Sequence, residues 1–78
     1  MEFKEYLKHK HLLKNGEKKL KEVSINQYIN RLENMRRHGI YNGEKQINSI
    51  LERKIKERYK DWKTYMKTIE HYLASKHY

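Results

Sequence analysis

Apolar residues recur at three- and four-residue steps in four stretches of this chain, a period that predicts four amphipathic helices. In residues 2–15 the inward positions are Phe3, Tyr6, Leu7 and Leu13, with Lys4, Lys8 and Lys14 outside the stripe. Gly16 after Asn15 is the expected stop, because glycine accepts the left-handed backbone that ends many helices. Residues 17–22, EKKLKE, form a charged connection. The second helix has the clearest start signal: Ser24 as N-cap, Gln27 completing a capping box, and Val23 with Tyr28 as a hydrophobic staple. Its stripe is Ile25, Tyr28, Ile29, Leu32 and Met35, and it ends on Arg36, Arg37 and His38 before Gly39, where cations suit the carbonyl end of the dipole.

Residues 40–43 connect to a third helix expected over residues 44–56, with Ile47, Ile50, Leu51 and Ile55 inward. Asp61 is the expected cap of a fourth helix, on which Trp62, Tyr65, Met66, Ile69, Tyr72 and Leu73 mark an apolar face. No stretch alternates at period two for long, so strands are not expected. Proline is absent and glycine occurs only at positions 16, 39 and 43, always between helical patterns. The expected fold is a single all-α domain over residues 1–78, a compact four-helix domain with short connections. Its core should centre on Leu7, Ile29, Leu32, Ile50, Trp62, Ile69 and Leu73, with Trp62 as the main anchor.

Length sharpens the picture, because a 78-residue chain buries only a modest core. Mean hydropathy is −1.26, and seven tyrosines, which can bury a ring and keep a hydroxyl wet, suit a thin core. There is no cysteine, which excludes a disulfide scaffold, a thiolate metal site and a thiol nucleophile. No signal peptide and no apolar run of roughly 20 residues is present, so a soluble, cytoplasmic protein is expected. Nineteen basic against ten acidic residues give a net charge of +9, a field that attracts polyanions. The lysine-, asparagine-, isoleucine- and tyrosine-rich composition also matches AT-rich coding DNA, which by itself raises the lysine count.

Candidate chemistry points away from catalysis. None of the phosphate-loop, dinucleotide or metalloprotease motifs occurs, and the serines Ser24, Ser49 and Ser75 lack a histidine and aspartate pattern. His9 and His11 point to different faces of a helix, so no metal site or cofactor is expected. Exposed aromatic candidates for stacking on bases are Tyr41, Tyr59 and Tyr78. The better-placed groups are polar. On the second helix Asn26, Asn30 and Asn34 step every four residues, and Arg31, Arg36 and Arg37 lie outside the apolar stripe. Asparagine pairs with adenine and arginine with guanine in a major groove. On the fourth helix Lys63, Thr64 and Lys67 lie on or beside the polar face near its N-terminus, where free backbone amides also favour phosphate.

The stretches FKEYLK, VSINQYINRLENM and WKTYMKTIEHYLASK, in that order, resemble the N-terminal core-binding domain of tyrosine recombinases, the SAM-like domain of phage integrases. Ser24, Ile25, Tyr28 and Leu32 match the pattern of the family's capped second helix, and Tyr65, Ile69, Tyr72 and Leu73 that of its last helix. The resemblance implies a domain that clamps duplex DNA with those two helices, and hence roles for Asn26, Asn30, Arg31, Arg37, Lys63 and Lys67. The family's catalytic domain has no counterpart in this chain, so no recombination activity is implied. The expected function is a non-enzymatic, basic DNA-binding domain of phage or mobile-element type. The alternative is a small protein-interaction module or inhibitor acting on a nucleic-acid enzyme; a membrane-surface helix is less favoured because the apolar faces are committed to a core.

Overall fold

The computed structural model describes residues 1–13 and 16–78. Four helices follow one another: α1 (Phe3–Leu13), α2 (Glu22–Arg37), α3 (Ser49–Arg58) and α4 (Trp62–Ser75), with no strand among the described residues. The chain is all-α, and α4 is its hub. It packs on α1, α2 and α3, whereas α3 packs on no other helix.

Helix α1 buries Phe3, Tyr6, Leu7 and Lys10, the spacing of one helical face. The Lys10 ammonium is taken up by the Glu17 carboxylate at 2.8 Å, which holds the following connector against the helix. Leu13 is exposed rather than inward, and the expected positions of Lys14 and Asn15 lie outside the described residues. Gly16 has the positive φ, +81°, expected of a stop.

Helix α2 begins earlier than its sequence signal. Glu22 and Val23 are already helical, Lys21 is the cap residue, and Ile25 N–H donates to Lys21 O at 3.1 Å. Ser24 is therefore inside the first turn and caps nothing, and Val23 is exposed rather than stapled to Tyr28. Glu22 supplies the reason: a carboxylate in the first turn answers the positive end of the helix dipole without a hydroxyl cap.

The end of α2 is a Schellman motif. Gly39, at φ +69°, donates its N–H to Arg36 O, and Ile40 N–H reaches back to Met35 O at 2.8 Å. The motif turns Ile40 inward beside Met35, and Tyr41 follows it: both are buried. The Tyr41 hydroxyl donates to Glu44 O at 2.6 Å and its ring meets Tyr72 edge-on at 5.9 Å. Tyr41 was expected to be an exposed stacking platform; it is instead one of the largest fully buried side chains.

Helix α3 starts five residues later than expected, at Ser49, because Asn48 caps it: its Oδ1 accepts from Leu51 N–H at 2.8 Å. With that start, Leu51 and Ile55 face inward and Ile50 points out, 66% exposed, which removes it from the expected core. On α4, Asp61 is the cap residue but makes no side-chain cap bond; Thr64 N–H goes to Asp61 O instead. Trp62, at the first position of the helix, is half-buried and not the core anchor. The buried centre comprises Phe3, Tyr6, Leu7, Ile25, Leu32, Met35, Ile40, Tyr41, Leu51, Ile55 and Ile69, with Ile29 and Leu73 packed against it half-buried. Two hydroxyls buried on α4 are satisfied within their own helix, Thr68 on Thr64 O and Ser75 on Tyr72 O.

Candidate nucleic-acid interface

On α2, successive residues turn by about 100°, which fixes where its polar groups sit. Asn26, Asn30 and Arg37 fall on one outer stripe and are exposed. Arg31 does not join them. It is half-buried a quarter-turn around the helix, its guanidinium 5.7 Å from the Tyr28 ring. Asn34 is engaged in the fold, accepting from the Tyr59 hydroxyl at 2.5 Å. Arg36 is engaged too, donating to the Tyr72 hydroxyl at 2.6 Å.

Lys63 and Lys67 share a stripe of α4 and both are exposed. Between α2 and α4, Tyr28 meets His71 edge-on at 5.0 Å and Arg36 donates to the Tyr72 hydroxyl, while Asn34 accepts from Tyr59, which stacks on Tyr65 at 3.6 Å. Arg31 lies one turn beyond Tyr28 on α2, and Lys67 one turn before His71 on α4. Asn26, Asn30 and Arg37 thus share one outer stripe of α2, Lys63 and Lys67 share a stripe of α4, and Arg31 lies apart from the other α2 candidates.

The strongest concentration of charge lies elsewhere. Residues 53–67 carry seven basic and two acidic side chains, +5 of the chain's +9, whereas residues 22–52 carry four of each sign. Arg53, Lys54, Lys56, Arg58, Lys60, Lys63 and Lys67 are all exposed, along α3, through the turn and onto α4. Trp62 sits at this corner with the Lys56 ammonium 4.6 Å from its ring and that of Lys63 5.7 Å away, one from each helix. Lys56 also pairs with Glu52 at 2.9 Å. This corner is not visible from the helix patterns because its cations are divided between the end of one helix, the turn and the start of the next; the signal is their count, seven basic against two acidic over residues 53–67.

Two tyrosine hydroxyls near these elements titrate above their ordinary value. Burial, then the neighbouring Tyr72 and Glu44, push Tyr41 up, with Arg36 pulling the other way. Burial and Tyr65 push Tyr59 up against the pull of Arg58. Both phenols are therefore neutral at physiological pH and act as hydrogen-bond donors. A groove of about 600 Å³ lies at the opposite end of α2, lined by Lys8, His9, His11, Leu12, Lys19, Leu20, Glu22 and Ile25. Among the described residues no group of three metal-ligating side chains is close enough to hold an ion, and no helix is long and apolar enough to cross a membrane. No family model matches the sequence, and neither a curated protein nor a solved structure matches the chain.

Proposed function

We propose that the protein is a non-enzymatic helical module that binds duplex DNA through its phosphate backbone, with the α3–α4 corner as the principal contact. The observation that carries this reading is the concentration of exposed cations between Arg53 and Lys67, seven basic against two acidic side chains over α3, the turn and the start of α4. Lysine-rich surfaces of this kind neutralise phosphates and release counterions, a sequence-independent source of affinity. The resemblance to the core-binding domain of phage integrases, whose last helix faces the duplex, is in keeping with it. On this reading Lys63 and Lys67 position the backbone. Asn26, Asn30 and Arg37 lie on a separate stripe of α2 and would add base contacts only where the DNA reaches that stripe, and Arg31 lies against the Tyr28 ring outside it.

The test is a salt titration of duplex binding, read from the fluorescence of Trp62, the only tryptophan. The double variant Lys63→Glu, Lys67→Glu should bind more weakly and flatten the log–log salt slope by about 1.8, two phosphates at about 0.9 each. Unchanged affinity and slope would refute the named surface. A single-stranded oligonucleotide as competitor separates duplex binding from a general preference for polyanions.

A second reading, a protein-interaction module, is favoured by one observation. Leu12, 74% exposed, lines the groove at the N-terminal end of α2, and Leu13 and Val23, next in the chain to the groove residues Leu12 and Glu22, are apolar and exposed. It requires hot spots there and not at Tyr41, which is buried, or at Tyr59, which is held by Asn34.

A further inference from the structure

Resting on the DNA-binding reading, we propose that the protein bridges two DNA duplexes, using two cationic surfaces held at opposite ends of α2. The first is the α3–α4 corner. It abuts the C-terminal end of α2, where Tyr59 bonds Asn34 and where Lys54 and Arg58 share a cleft with His38 and Gly39. The second gathers at the N-terminal end of the same helix. Lys8 of α1 and Lys19 of the connector line one groove together with Glu22 and Ile25 of α2, and Lys18 and Lys21 flank Lys19 in the chain. These four lysines are exposed, and the acid nearest them in the connector, Glu17, is committed to Lys10.

Between the two lies a stretch of low net charge. Helix α2, 16 residues long, spans about 24 Å and carries three arginines against two glutamates, +1 in all. At physiological ionic strength the screening length is about 8 Å, so the two surfaces are electrostatically independent. One duplex at either surface leaves the field at the other almost unchanged. A single continuous patch on a molecule with a long dimension of 34 Å would instead load one duplex and repel nothing further. Two screened patches separated by a helix of low net charge load two duplexes, and the helix sets their spacing.

The experiment mixes two 20-base-pair duplexes, one carrying a donor fluorophore and one an acceptor, with the full chain. Energy transfer reports bridging, and anisotropy of one labelled duplex alone reports binding. The variants are Lys18→Gln with Lys19→Gln at one end, Lys60→Gln with Lys63→Gln at the other, and Lys45→Gln with Lys76→Gln as a control of equal charge outside both surfaces. Circular dichroism establishes that each is folded. Bridging predicts transfer with the native chain. It also predicts loss of most transfer in either end variant, with single-duplex affinity reduced less than about tenfold, and retained transfer in the control. Binding without transfer overturns the inference and leaves the DNA-binding reading standing. Equal loss of transfer in all three variants also overturns it, because general condensation by a polycation then suffices. Absence of binding to either duplex at low salt removes the DNA-binding reading itself.

Discussion

Tyr41 shows how a single side chain can reverse its expected role. In sequence it lies two residues after Gly39 and precedes Asn42 and Gly43, a turn composition that reads as solvent-facing. Its burial follows from the helix-ending motif, which places an apolar residue just after the glycine against the last turn. Tyr41→Phe keeps the ring and removes the bond to Glu44 O, so it should lower stability by about 1 kcal/mol in a denaturant titration. Tyr41→Ala should cost about 3–5 kcal/mol, as for other buried aromatics, which approaches the whole stability of so small a domain. The same residue gives the protein a basic limit. A phenol whose pKa is raised on folding binds its proton more tightly in the native state. Its contribution is complete below the unfolded value of 10.0 and is lost as pH rises through the folded value. Stability should therefore fall above pH 10.0, with tyrosinate absorbance and loss of helical circular dichroism rising together. Tyr59→Phe should leave a weaker alkaline transition, carried by Tyr41.

At the scale of the element, helix number, order and apolar faces were legible because a 3.6-residue period survives in all four stretches. Helix starts were not. A serine followed three residues later by glutamine is a sound capping signal, but Glu22 lies two residues upstream and the dipole rewards it there. Asn48, a strong capping residue, was hidden inside a stretch whose isoleucines at 47 and 50 suggest a helix already under way. The two caps can be separated experimentally. Asn48→Ala should destabilise by about 1 kcal/mol because it orphans the Leu51 amide. Ser24→Ala should change stability by less than about 0.5 kcal/mol, since serine inside a first turn has no such bond to lose. Parallel thermal melts of the two variants decide the matter; an equal loss in both would place the start of α2 at Ser24 after all. The site was read with the same unevenness. Lys63 and Lys67 are exposed on one stripe as their spacing implied, whereas Arg31 is drawn over the ring of Tyr28 one turn back on its own helix and Asn34 is engaged by Tyr59, 25 residues away.

For the whole molecule, charge and core are laid out on different axes. The core fills the centre of the helix cluster, and most of the cations on α3 and the start of α4 lie on the exposed surface. That arrangement separates stability from binding, so surface variants can be read without confusion. Lys56→Gln and Lys63→Gln together leave the core residues untouched and should shift the thermal midpoint little, while weakening duplex affinity and altering the Trp62 emission through loss of the two ammonium contacts. A large fall in thermal midpoint for that pair would mean the corner is a structural brace instead of a binding edge.

The position of the hub in the chain has a consequence for biosynthesis. Helix α4 is the shared partner of the other three, and it is made after all of them. Until residues 62–75 clear the ribosomal exit tunnel, α3 has, among the described residues, no helix to pack on, and α1 and α2 have only each other. The nascent chain should therefore stay uncommitted through the synthesis of residues 1–61 and acquire structure in one step once α4 emerges. A chain truncated after residue 61 should show little helical circular dichroism, and adding residues 62–75 as a separate peptide should restore it. A truncated chain already folded would relocate the nucleus to the α1–α2 pair.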